Sequence, residues 1–151
     1  MKVLVFHIGA DRYALPLPAI ARVLPAAALK AIPQAPASVA GLLDLHAEPV
    51  PVIDLSRLAG LAPGHVWFDS RIILLDYPVR PGAARKLGLL AEHVLGIESV
   101  DAAALATPGV AGAPFLGRVS ATGAGLLQLV EPDQLLTPDV RALLFQDEVA
   151  A

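Results

Sequence analysis

Few residues in this chain have the types and spacing that chemistry needs. Asp44 and Asp54 lie on neighbouring strand candidates and would be the one carboxylate pair for general acid–base work. Glu92 and His93 are adjacent and offer a carboxylate–imidazole dyad. The imidazoles are His7, His46, His65 and His93, and cysteine is absent. Disulfides and thiolate metal sites are thereby excluded. Each candidate has a plainer role. Asp54 precedes Leu55-Ser56-Arg57-Leu58, where an aspartate side chain caps a short helix. Asp44 alternates with Leu43 and Leu45 and so faces solvent. Glu92-His93 follows Leu89-Leu90-Ala91 and reads as the end of a strand. The four histidines are far apart in sequence and read as solvated or edge side chains. There is no Gly-x-Ser-x-Gly, no phosphate-cradling glycine loop ending in Lys-Ser or Lys-Thr, and no His-Glu-x-x-His. The glycines between 117 and 125 have the wrong spacing and belong to a hairpin. No catalytic residue, metal or cofactor is assigned.

Composition points the same way. The chain has 151 residues, 56% of them hydrophobic, with a net charge of −3. One domain with a proper core fits that length. Mean hydropathy is +0.64, inflated by alanine. No apolar run reaches the roughly 20 residues of a membrane helix. The run Val3–Phe6 stops at His7, Asp11 and Arg12, too early for a secretory segment. A cytoplasmic protein without direct membrane insertion is expected. Cations are scattered and aromatics are 5% of residues. A nucleic-acid binder would show a basic stripe. An apolar chain of modest charge suggests surface patches for other proteins.

Many short elements must position those patches. Val3–Ile8 and Tyr13–Leu15 read as a hairpin around Gly9-Ala10-Asp11. Pro18 suits the first turn of a short helix. Ile20, Val23 and Leu24 fall at helical spacing, and Ala21–Leu24 fits a strand equally well. Pro33 and Pro36 force an extended corner. Ala37-Ser38-Val39 reads as one helical turn ended by Gly41. Leu42–His46 and Val50–Ile53 read as strands around a bend at Glu48-Pro49, with Pro51 marking an edge or bulge. Leu61–Ser70 is a loop holding the only tryptophan. Ile72–Leu75 is a strand buried on both faces, and Tyr77–Arg85 a turn-rich connector. Lys86–Val100 divides into two strand halves at a bend after Leu90. Phe115–Ser120 and Leu126–Val130 flank a glycine-rich turn. Pro132–Leu136 and Pro138–Phe145 read as short helices. Strands at this spacing predict an all-β barrel architecture.

The order of the motifs is similar to that of one family. Phe6-x-Ile8-Gly9, Tyr13-Ala14-Leu15, Val23-Leu24 and Ile32-Pro33-x-Ala35-Pro36 resemble the opening of CheW-like domains. So do Val39-Ala40-Gly41-Leu42, Val50-Pro51-Val52-Ile53-Asp54-Leu55, and Leu87-Gly88-Leu89-Leu90-Ala91 followed by Val94 and Ile97. The resemblance implies two intertwined five-stranded SH3-like β-barrels sharing a core, with short helices. It implies one CheW-like domain over residues 1–145, two barrel-like halves breaking near 77–85, and a tail at 146–151. It implies a non-enzymatic adaptor that couples the cytoplasmic tip of a chemoreceptor to the regulatory domain of a CheA-type histidine kinase.

By the same resemblance Ile20, Ile72, Val94 and Ile97 match positions near the receptor groove. Ala40, Gly41, Leu43 and His46 match the kinase-facing part of the first barrel. Ile72, Val94 and Ile97 fit a core role as well as a surface one. Two departures stand out. The family usually has Arg-Gly where this chain has His46-Ala47, and an acidic residue where it has Arg22. Arg22 and His46 are therefore expected to tune partner choice together. The pattern, with Ala28-Leu29-Lys30 and Leu89–His93, is more similar to adaptors of Wsp-type surface-sensing arrays, which feed a diguanylate cyclase. Adaptors of flagellar or type IV pilus chemotaxis are the alternative, and an unrelated SH3-like interaction module the other.

Overall fold

A computed structural model describes residues 1–61, 69–109, 112–122 and 125–146. The apolar run at the N-terminus forms β1 (Lys2–Ile8), which reverses at Gly9 and pairs with β2 (Asp11–Pro16). Pro18 sits in a three-residue 3-10 turn, Leu17–Ala19, and opens no longer helix. The next residues form β3 (Ile20–Pro25). Of the two readings for this stretch, the strand holds, because β3 pairs along its length with β6 (Arg71–Arg80).

β4 (Val39–Leu45) and β5 (Glu48–Asp54) form the next hairpin. Two expectations change here. The turn at Ala37-Ser38, closed by Val39 N–H donating to the Pro36 carbonyl at 2.9 Å, stops short of Gly41, since Val39 already pairs with Ile53 and the Ser38 carbonyl accepts from Asp54 N–H at 2.8 Å. The reversal falls on His46-Ala47 rather than Glu48-Pro49, because strand pairing runs up to Leu45↔Glu48. Asp54 then caps α1 (Leu55–Leu58), accepting from Ser56 N–H at 3.0 Å and Arg57 N–H at 3.4 Å.

The connector expected over Tyr77–Arg85 is also mostly strand. β6 continues to Arg80 and β7 (Ala83–Ser99) begins three residues later, leaving Pro81-Gly82 as the turn. Tyr77 explains the extension: it is 1% exposed and stacks on Phe145 at 6.0 Å, so the strand is held where proline composition suggested a loop. β8 (Leu116–Thr122), β9 (Gly125–Val130) and α2 (Pro138–Leu144) complete the fold, with 3-10 turns at Ala102–Ala104 and Pro132–Gln134. No described helix is long and apolar enough to cross a membrane.

The strands make two five-stranded barrels that share β7. One holds β3, β6, the first half of β7, β5 and β4. The other holds the second half of β7, β1, β2, β9 and β8. Each contains one parallel pairing, β5 with β7 and β2 with β9. Side-chain alternation along a strand then feeds separate cores. Leu4, Phe6, Ile8, Ile73, Leu75, Leu87 and Leu89 fill the core shared between barrels. Val3, Val5, Ala14, Leu127 and Leu129 fill the second barrel. Leu43, Val50, Val52, Ile72 and Leu74 fill the first. Ile72–Leu75 is thus buried on both faces, as its unbroken apolar run required.

Candidate docking surfaces

The residues whose types suit chemistry are engaged otherwise. Asp44 is exposed and accepts from Ala47 N–H at 2.8 Å across the β4–β5 turn. Asp54 is 6% exposed and committed to its helix cap. Glu92 and His93 point to different partners: Glu92 accepts from Ser56 Oγ at 3.2 Å, whereas His93 Nδ1 lies 3.0 Å from an Asp69 carboxylate oxygen. His7 and His93 meet edge-on at 5.6 Å, a pairing that their distance in sequence hid. His65 lies outside the described residues. Among the described residues no cluster of three or more groups could hold a metal. Burial raises the Tyr77 phenol above its usual range, with Arg141 opposing, and burial and then Asp11 raise Tyr13. Both stay neutral at physiological pH and serve as no base.

On the first barrel the kinase-facing candidates divide sharply. Leu43 is 6% exposed and belongs to that barrel's core. Gly41 is buried at φ 149, and a β-carbon there would lie 2.5 Å from the Lys30 carbonyl oxygen. It is required because Lys30 and Leu42 exchange two backbone hydrogen bonds, of 2.9 and 2.8 Å. These two residues build the surface rather than form it. Ala40 is half-buried against the same core. His46 is exposed at the tip of the hairpin. Beside it, Lys30, Leu42, Leu43, Asp44, Ala47 and Pro49 line a shallow cavity of about 360 Å³.

The hairpin tip has an unusual backbone. His46 and Ala47 both have positive φ, 49° and 69°. Positive φ at both central residues of a two-residue loop defines a type I′ turn, which favours Asn-Gly or Asp-Gly. An alanine in the left-handed region costs roughly 1–2 kcal/mol. Ala47→Gly is therefore expected to raise stability by about 1 kcal/mol, part of the relief being offset by the freer unfolded chain. Denaturant melts with an unchanged m-value check this; a destabilised Ala47→Gly protein would refute the strain.

The receptor-facing candidates also separate. Ile72 is fully buried in the first barrel's core and has no surface to offer a partner. Ile20 and Val94 are half-buried and pack on the shared core. Ile97 is 59% exposed. Leu95, which the sequence reading passed over, is 55% exposed beside it. Alternation held the missing signal: in Val94-Leu95-Gly96-Ile97 it is Leu95 and Ile97, two apart, that pair off in a strand. Arg22 is exposed on β3, and neither its side chain nor that of His46 is bonded to a described residue.

The comparisons agree with this architecture. The crystal structure of the scaffolding protein TtCheW from Thermoanaerobacter tengcongensis is similar, with a TM-score of 0.81 at 22% sequence identity, covering 92% of this chain and 89% of that one. That likeness concerns the fold. No curated protein sequence matches. The family model described as the CheW-like domain matches residues 2–139, nearly the whole chain. With two barrels sharing one strand and one core and the family model spanning residues 2–139, this chain belongs to the CheW-like domain family, scaffolds of chemotaxis signalling.

Proposed function

We propose that the protein is a non-enzymatic adaptor that joins the cytoplasmic tip of a methyl-accepting chemoreceptor to the regulatory domain of a CheA-type histidine kinase, in the cytoplasm beneath a receptor array. One observation carries this reading. Exposed docking features lie on both barrels: Leu95 and Ile97 on the second, and the His46-Ala47 turn with its cavity on the first. Two partners can then bind at once, as coupling requires. Exposed apolar side chains two apart on a strand suit a receptor hairpin, and a mixed polar and apolar hairpin suits a folded domain.

The array is of Wsp type, with a diguanylate cyclase at its output. The support is local. The β4–β5 turn is a tight two-residue reversal that displays His46-Ala47, where the resemblance places the family's Arg-Gly. His46→Arg and His46→Glu test it against the regulatory domain of a CheA-type kinase. Glutamate is expected to weaken binding about fivefold or more, and arginine to equal or improve on histidine. Two variants both within twofold of wild type would remove His46 from the interface.

A further inference from the structure

The shared strand β7 carries an irregularity at the point where it leaves one barrel for the other. Between the pairs His7↔Glu92 and Val5↔Gly96, β1 advances two residues while β7 advances four. His93, Val94 and Leu95 together stand opposite Phe6 alone. The detour starts with His93 at φ 46, a left-handed conformation that a non-glycine residue holds only when its surroundings insist. Asp69 supplies that insistence twice. Its carboxylate lies 3.0 Å from His93 Nδ1, and its backbone carbonyl accepts from Val94 N–H at 3.0 Å. His7 from β1 meets the imidazole edge-on, and the neighbouring Glu92 is turned away to Ser56 of α1.

The detour has a consequence for the surface. Val94 turns into the shared core, and Leu95 is pushed out to 55% exposure, next to Ile97 across Gly96. Over Glu92–Ser99 the described strand partner of β7 is β1, and Asp69 holds the strand at Val94. Bulges of this kind re-aim a side chain next to a functional surface.

We propose that His93 and Asp69 form a latch that positions Leu95 as a second apolar anchor, beside Ile97, for the receptor hairpin. The proposal rests on the receptor-facing reading of β7. Leu95 touches the partner; His93 and Asp69 are positioning residues. The latch is not what holds the fold together. Its side chains are 35% and 40% exposed, and an ion pair that open adds little to stability.

The experiment measures binding of a purified receptor tip fragment and of the kinase regulatory domain to five variants of the full chain. Leu95→Asp is expected to weaken receptor binding about tenfold or more. Asp69→Ala and His93→Val, the latter poorly suited to a left-handed backbone, are expected to weaken it about fivefold. His93→Asn, which tolerates that backbone and can still donate to Asp69, is expected to bind within twofold of wild type. Kinase-domain binding should stay unchanged in all of them. Ile97→Asp is the control for the underlying reading. If Ile97→Asp weakens receptor binding while Leu95→Asp, Asp69→Ala and His93→Val leave it unchanged, the latch is refuted and the receptor surface stands. If Ile97→Asp is also silent, both fall. Equal loss of receptor and kinase binding in Asp69→Ala would mark a general structural role and overturn the proposal.

Discussion

Gly41→Ala is expected to destabilise the protein by about 3 kcal/mol or more, a fall in Tm of roughly 6–12 °C for a chain this long. Two costs combine. At φ 149 a side chain is strained whatever the space around it. The added carbon would also sit 2.5 Å from the Lys30 carbonyl oxygen. Backbone cannot yield as a flexible side chain can, so the segment at Lys30 must move. Its two bonds with Leu42 are then lost or stretched, each worth about 1 kcal/mol. Gly82→Ala separates the causes. Gly82 also has positive φ, 79°, but a β-carbon there meets nothing within 4 Å. It should cost only about 1 kcal/mol. Equal losses at the two sites would mean that close approach to Lys30 does not matter.

Ile97→Asp is expected to leave folding intact and to weaken receptor-tip binding by about 30-fold, the roughly 2 kcal/mol of a central apolar anchor. Ile97 is 59% exposed, so its loss opens no cavity. It pairs across with Leu4 at the rim of the shared core, which fixes where a partner would sit. A charge placed there must be desolvated when the partner binds, without a counter-charge to meet it. Titration of the tip fragment, with a thermal melt as control, measures both effects. An unchanged melt with unchanged affinity would exclude this edge of β7 from the receptor interface. The same logic shows why a charge at Leu43 is a poor probe of the kinase face. Leu43 is 6% exposed, and Leu43→Asp would disrupt the first barrel before it reported on any partner.

Much of the fold was legible in the sequence because its signals are local. The Gly9 turn, the Asp54 cap and the unbroken apolar run Ile72–Leu75 each depend on residues within one element. The misread places depend on tertiary contact. Tyr77-Pro78 reads as loop by composition, yet burial of Tyr77 against Phe145 holds it in β6. Val39 and Gly41 read as the end of a helical turn, yet pairing with Ile53 and Val52 of β5 makes them strand. The docking residues were harder still. Motif resemblance names positions without saying which way a side chain points. It placed Ile72 and Leu43 on surfaces when both fill a core, and it passed over Leu95, which its two-residue spacing from Ile97 marked and which a bulge against β1 turns outward. The meeting of His7, His93 and Asp69 has the same origin, since these residues come from β1, β7 and the segment before β6.

The central claim is coupling, and the most direct measurement is recruitment. Vesicles carrying the receptor are sedimented with the full-length kinase, with and without this protein. The kinase is expected to sediment with the receptor only when the protein is present, and recruitment is expected to fall when Ile97→Asp replaces wild type. Kinase that sediments equally without the protein, or that stays in solution with it, would contradict the adaptor role.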